Sequence, residues 1–406
     1  MPATRETLLA AIEARRLVAF AYDGEPRLVE PHTLGEQRGA LHLLAYQVGG
    51  RSASGPLPAW RRFALDRMAS VELRDERFAP REAPAGRHAS FDRRIAFVPD
   101  ATLAWLLDPA DPAVRAQALV DLAGRAPDDA EVVAARREIP LRGSAARVLA
   151  GLGPVPRDLD ALYKPKYGAP YHRLIALAEM GLDASEPRAG ALLEACLDAF
   201  LGPRGGDILD DEVCVVGNLT RAAIRMGRRD DPRVARGLAW LVAAQREDGG
   251  WHCWPEQAQG GTLDSWEALG AFAALPRAER PRETVARGVA FLLRERLGMD
   301  DPYEPWRRIH FPCHYYYDAL LGLDLATELG NPYDPWLAPA LAWLLGKRGA
   351  DGRWRLDAQH PDLAEGADYA PKGLAAITPL VVEPLGEPSK WATLQAMRVL
   401  QRAQGA

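Results

Sequence analysis

Cysteine is scarce in this sequence: four in 406 residues, far apart at Cys196, Cys214, Cys253 and Cys313. So few and so scattered thiols exclude a disulfide-stapled scaffold and predict a reducing, cytoplasmic setting, in which cysteine serves packing, metal ligation or thiolate chemistry. Lysine is scarcer still for its type, five against 45 arginines, and with the abundant alanine we read that skew as compositional. No stretch of about eighteen uncharged apolar residues occurs, so no spanning helix is expected. The first eleven residues carry Arg5 and Glu6 instead of a basic stretch followed by an apolar one, which is not the pattern of a secretory leader. The net charge of −5 also excludes a polyanion-binding footprint over the whole chain.

What is present suits two or three soluble domains: 48% hydrophobic and 26% charged residues, enough for a sizeable core. The charge is unevenly shared. Residues 1–95 hold fifteen arginines and twelve acids, a balance of +3 against −8 for the remainder, so only the first part favours polyanions. Its patterning is mixed. ETLLAAIEARR (6–16) sets Leu8, Leu9 and Ile12 on one helical face. LVAFAYDGEPRLVEP then alternates around a DGEP turn, which reads as a hairpin. Further strands are predicted over Ala40–Gln47 and over the alternating run Trp60–Leu73, giving a small β-rich barrel with one helix. Residues 80–95, rich in Pro, Ala and Arg without periodicity, read as a linker.

Tyr22, Arg27, Pro31, Ala45-Tyr46, the run Arg62-Phe63-Ala64-Leu65-Asp66-Arg67 and Phe78 together resemble a WYL domain over residues 6–79. Leu41-His42-Leu43 stands where the family's Trp-Tyr-Leu falls. The resemblance implies an Sm-like barrel that binds nucleic acid or a nucleotide-like effector. Arg27, Arg62 and Arg67 are its candidate ligand contacts, since a guanidinium fork holds phosphate or carboxylate bidentately. Ordinary solvated strand arginines, paired with Glu25, Glu30 or Asp66, are the competing reading. If the three serve one phosphate, they belong on one face.

From residue 96 the pattern is helical to the end, and it repeats. Apolar segments starting at Ser144, Gly190, Arg236, Arg287 and Pro339 recur roughly every 46 to 52 positions, a period of repeat architectures. Between them second helices are predicted at Tyr171–Gly181, Glu212–Gly227, Asp264–Leu275, His314–Gly330 and Lys390–Gln404, with earlier helices at Thr102–Leu107 and Val114–Ala123. Five to six helix pairs predict an all-α (α/α) ring over 96–406, each repeat's apolar face being covered by its neighbours.

AAQREDGGW (243–251) and GKRGADGRW (346–354) both end in Asp-Gly-x-Trp, and over residues 140–406 the chain resembles the toroids of squalene cyclases and of protein prenyltransferase β subunits. YKPKYGAPYHRLIALAEMGL is similar to part of a bacterial group of toroid proteins. In such a ring the second helices line a central cavity and open at one mouth, where helix dipoles favour anions. That places Lys164, Lys166, Tyr167, Tyr171, Trp266 and Tyr315 as candidate ligand contacts. The resemblance implies an elongated, partly apolar, isoprenoid-like small molecule, its anionic head near the two lysines.

Three chemistries follow. Class II cyclases protonate an alkene with the central acid of Asp-x-Asp-Asp, and DILDD offers Asp210 and Asp211, followed by Glu212 and Cys214 and, later in the chain, His314, as candidate catalytic groups. Helix capping by the same acids is the alternative. Prenyltransferase β subunits hold zinc through Asp-x-Cys and a later His, and this chain offers His252-Cys253 and Cys313-His314, sixty to sixty-two positions apart, as a candidate zinc set, although Asp-x-Cys itself is replaced by Asp264-Ser265-Trp266. Third, the cavity binds an effector without transforming it and the protein is a regulator. Under either catalytic reading Asp210, Asp211, Cys214, His252, Cys253, Cys313 and His314 converge on one mouth of the cavity.

Overall fold

Strands β1 (Arg16–Tyr22) and β2 (Glu25–Gln37) form the expected hairpin, turning at Asp23-Gly24 where both residues take positive φ. This structure, a computed structural model, describes residues 2–81, 91, 93–97, 100–164, 167–202, 212–313, 316–359 and 380–403. Helix α1 (Pro2–Ala14) precedes the hairpin; β3 (Ala40–Gly50), β4 (Ala59–Ala64) and β5 (Met68–Arg77) follow it. All pairings are antiparallel, in the order β4-β3-β2-β1-β5. The predicted single run Trp60–Leu73 is thus two strands, divided by a 3-10 turn at Leu65–Arg67. Since β4 and β5 are the two ends of the strand order yet are joined by one turn, the sheet has to curl.

A further strand, β6 (Arg93–Phe97), falls across the end of the stretch read as linker and pairs with Thr33–Glu36 of β2. The length of β2 explains how: residues 25–29 pair with β1, and residues 33–36 with β6. Between these halves Pro31 has no N–H to give the ladder, and the register shifts there, leaving His32 as the extra residue. One face of the sheet holds the core, in which Val18, Phe20, Val29, Leu34, Leu43, Ala45 and Phe63 pack with Leu8, Ala11 and Ile12 of α1. Each such side chain, fully buried, contributes roughly 1.5–3 kcal/mol if large.

The rest of the chain is helical. The whole chain divides into two compact units, Met1–Asp108 with Arg115–Val133 and Gln404–Ala406, and Pro109–Val114 with Ala134–Ala403. Helices α2 (Ala101–Leu106), α3 (Pro112–Asp121) and α4 (Ala130–Glu138) come first, then α5 (Gly143–Ala150) and α6 (Leu159–Tyr163). Five second helices follow the predicted pattern: α7 (Pro170–Glu179), α9 (Val213–Arg225), α11 (Thr262–Ala273), α13 (Ala319–Leu329) and α15 (Lys390–Ala403). Between them lie α8 (Pro187–Cys196), α10 (Pro232–Ala243), α12 (Arg282–Arg294) and α14 (Ala338–Gly346). Helix α13 starts later than expected because Asp318 caps it, accepting from the Leu321 N–H. Asp231 and Glu186 do the same before Pro232 and Pro187, where proline at the first turn forfeits no hydrogen bond.

First and second helices differ in burial as a layered arrangement requires. Helix α9 buries nearly every residue and α11 almost as many, whereas α10 buries only Val234, Gly237 and Leu241. The second helices pack in succession, α7 on α9, α9 on α11, α11 on α13 and α13 on α15. The Asp-Gly-x-Trp segments are built alike. Trp251 donates its indole N–H to Leu241 O (2.7 Å) and its backbone N–H to Ser265 Oγ (2.9 Å). Trp354 repeats this with Leu344 O (2.8 Å) and Thr393 Oγ1 (3.0 Å). Both indoles are wholly buried, and Gly249 and Gly352 take the positive φ that the turn demands.

Candidate functional site

Cys214 lies in the first turn of α9, Glu267 in the body of α11, and Cys253 in the turn segment after α10. Packing of α9 on α11 brings them together: among the described residues, these are the thiols and carboxylate whose ligand atoms all lie within 4.8 Å of one another. The Cys214 N–H donates to Cys253 Sγ (3.3 Å), and the Cys214 thiol donates to Glu212 Oε2 (3.3 Å). Asn218, fully buried one turn on, gives its amide N–H groups to Cys214 O and Glu267 Oε1, both at 2.9 Å. Arg221 in turn donates to Asn218 Oδ1 (2.7 Å) and lies over the Trp266 ring at 4.8 Å.

Thiol hydrogen bonding and burial dominate this cluster, with the neighbouring acids adding to both. The hydrogen bond with Cys253, then burial and the charges of Glu267 and Glu212, push the Cys214 thiol well up. For Cys253 the hydrogen bond with Cys214 favours the thiolate, but burial together with Asp264 and Glu267 outweighs it and the thiol is raised. Burial raises Asp264, against the hydrogen bond from Cys253 and the His252 charge. His252 stands at the edge, its Nδ1 accepting from the Trp254 N–H and lying 3.9 Å from Asp264. A cavity of about 250 Å³ opens beside it, lined by Val213, Trp240, Ala243, Arg246, His252 and Cys253, among others.

Of the residues expected at one mouth of the cavity, Cys214 and Cys253 lie together with His252 beside them. Cys313 is placed elsewhere: its buried thiol donates to Glu179 Oε1 (2.8 Å) and burial raises it. Among the described residues it is not grouped with Cys253, and α7 supplies its hydrogen-bond partner. Asp210, Asp211, Lys166, His314 and Tyr315 lie outside the described residues. Lys164 is paired with Asp160 (3.1 Å) at the end of α6, and Tyr167, Tyr171 and Trp266 are buried. Tyr171 uses its hydroxyl to donate to Val215 O (3.1 Å), a packing role.

In the sheet, the three arginines are not brought onto one face. Arg27 stands across from Phe20, on the core side; Arg62 stands across from Leu44, one position off the core pair Leu43–Phe63 and so on the other face. Arg67, in the 3-10 turn, is held bidentately by Asp23 and stacks on Tyr22 at 4.8 Å. Arg62 lies over Phe91 at 4.7 Å and donates to Gln37, and burial lowers its pKa.

The outer face carries a row that sequence reading passed over. Register aligns Glu30, Tyr46 and Trp60 across β2, β3 and β4. Tyr46 and Trp60 are half-buried with ring centroids 5.5 Å apart. His32 packs edge-on against Trp60 (4.6 Å) and against Phe78 (4.8 Å). Arg81 is clamped by both oxygens of Glu30 and covers Tyr46 at 4.5 Å. The signal was the two-residue alternation on β3 and β4, which puts Leu44, Tyr46, Trp60 and Arg62 on one side.

Comparison with known proteins finds that residues 3–73 match the WYL domain family. A probable squalene–hopene cyclase of Sinorhizobium fredii is 26% identical over 170 residues, covering 37% of this chain and 26% of that protein. Among solved structures, proteasome accessory factor B/C (PafBC) of Arthrobacter aurescens aligns at 13% identity and a TM-score of 0.17, over 72% of this chain and 54% of that one. The chain thus spans about a quarter of the cyclase and about half of the accessory factor. No helix among the described residues is long and apolar enough to cross a membrane. The curled sheet behind α1, with its Arg62-to-Arg67 segment turning between β4 and β5, is the part of the chain that matches the WYL domain family.

Proposed function

We propose that this protein is an effector-binding regulator whose WYL domain binds nucleic acid or a nucleotide on the outer face of its sheet. The observation that carries this is the row of Tyr46 and Trp60, with Arg62 and Arg81 on the same side. Half-buried aromatic rings on a sheet offer a stacking platform for bases, each worth about 1–3 kcal/mol, and arginine adds phosphate contact or stacking. The balance of +3 in the first 95 residues of an acidic chain is in keeping with such a partner. In this reading the helical part, 96–406, is an α/α toroid that receives a partly apolar small molecule. The second helices α9 and α11, each burying most of its residues, support it.

The test is fluorescence anisotropy of the full chain with a labelled single-stranded oligonucleotide at two salt concentrations. Trp60→Ala is expected to weaken binding about tenfold or more, and Arg62→Ala to reduce the salt dependence by about one phosphate contact. Binding that survives Tyr46→Ala together with Trp60→Ala, or no binding at low salt, rules the face out.

A further inference from the structure

We infer that Cys214, Cys253 and Glu267 hold a zinc ion, with Glu212 closing the fourth position, so that one metal joins α9, α11 and the turn segment after α10. Zinc bound tetrahedrally at about 2.3 Å to sulfur and 2.0–2.2 Å to oxygen sets its ligand atoms roughly 3.3–3.8 Å apart. The three donor atoms lie within 4.8 Å of one another, and Glu212 Oε2 already stands 3.3 Å from Cys214 Sγ. Contraction by up to about 1 Å brings Cys214, Cys253 and Glu267 to that spacing, and Glu212, which is outside the set of mutually close ligand atoms, must turn toward them to close the fourth position.

The donor chemistry selects the metal. Two sulfurs favour zinc over magnesium or calcium, which prefer all-oxygen shells, and one or two carboxylates are compatible with it. The surroundings are also those of a ligand shell. Glu267, wholly buried, is oriented by Asn218, which is itself fixed by Arg221, and such outer contacts set the direction of a ligating oxygen. Asp264 adds a further carboxylate to the same acid-rich volume. A dication there offsets mutual repulsion that Arg221, one residue removed behind Asn218, meets only from outside. The set also differs from the spacing-based one, sharing only Cys253 with it.

The experiment uses the full chain purified after growth with added zinc and extensive dialysis, with metal measured by mass spectrometry. About one equivalent of zinc per chain is expected, falling below roughly a tenth in Cys214→Ser, Cys253→Ser and Glu267→Gln, while Cys313→Ser keeps it. Exchange into cobalt should give a thiolate charge-transfer band that weakens with either cysteine removed. Because a variant can lose metal by misfolding, the wild type supplies a second readout: zinc should shield Cys214 and Cys253 from alkylation, and chelation should expose them. The inference is overturned by substoichiometric zinc, by zinc that stays in all three variants, or by an intact mass two hydrogens short from a Cys214–Cys253 disulfide.

Discussion

Trp391, in the first turn of α15, donates its indole N–H to Ser144 Oγ on α5 at 3.2 Å, joining positions 247 residues apart. Phe311 stacks flat on the same indole at 4.6 Å, and Arg147 of α5 reaches Val382 O at 3.3 Å. The last second helix therefore meets an early first helix. Trp391→Phe should lower stability by about 1 kcal/mol, the worth of one hydrogen bond, and Trp391→Ala by about 3–5 kcal/mol through the cavity it leaves. Urea unfolding at neutral pH measures both.

The buried repeat tryptophan Trp251 leaves no room for a methyl group on the neighbouring helix. A Cβ built on Gly288 of α12 would stand 2.8 Å from both the Trp251 ring and Leu269 Cδ2. Gly288→Ala should thus destabilise by about 1–3 kcal/mol despite its better helix propensity, the sign opposite to that expected at an open site. Gly346→Ala is the control, because nothing lies within 4 Å of a Cβ there.

Asp324 on α13 is paired with Arg398 (3.4 Å) and Arg402 (2.8 Å) of α15. Burial alone would raise its carboxyl, but these arginines together with Arg225 hold it below the usual range. The unfolded chain binds the proton more tightly, so the pair contributes stability above about pH 3.9 that is lost as pH falls through the lower folded value. With 22% of the side chain exposed, Asp324→Asn should cost about 1–3 kcal/mol at pH 7 and flatten the acid limb of a stability-versus-pH curve.

Cys196 is completely buried at the end of α8, and burial alone drives its thiol far up. It should resist iodoacetamide in the native protein and react only on unfolding. Labelling followed by peptide mass spectrometry checks this, and rapid native labelling would contradict the packing of α8.

Legibility in the sequence followed the reach of each signal. Helix pairs and the Asp-Gly-x-Trp turns were readable because a helical period and a glycine with positive φ are local demands. The break at Leu65–Arg67 was not, since alternation continues on both sides of a turn only three residues long. Strand β6 was hidden by its arginines, being specified by free positions along β2 and not by its own hydrophobicity. The meeting of Cys214 with Cys253 was expected, whereas Glu267 joins them only through the packing of α9 on α11. Cys313 meets Glu179 of α7, and spacing along a repeat does not say which neighbour a side chain meets. Tyr46 and Trp60 were visible as strand residues, but their alignment depends on register across three strands.

The divided loyalty of β2 has a practical outcome for anyone shortening the chain. A truncation at residue 79 would keep every strand of the β4-β3-β2-β1-β5 order yet remove the partner of Thr33–Glu36. Those four residues would then present unsatisfied amides and carbonyls along a bare margin, a template for joining one copy to the next. A fragment carried through Phe97 keeps that margin occupied, so its solubility, and not its helix content, is where the two lengths should differ.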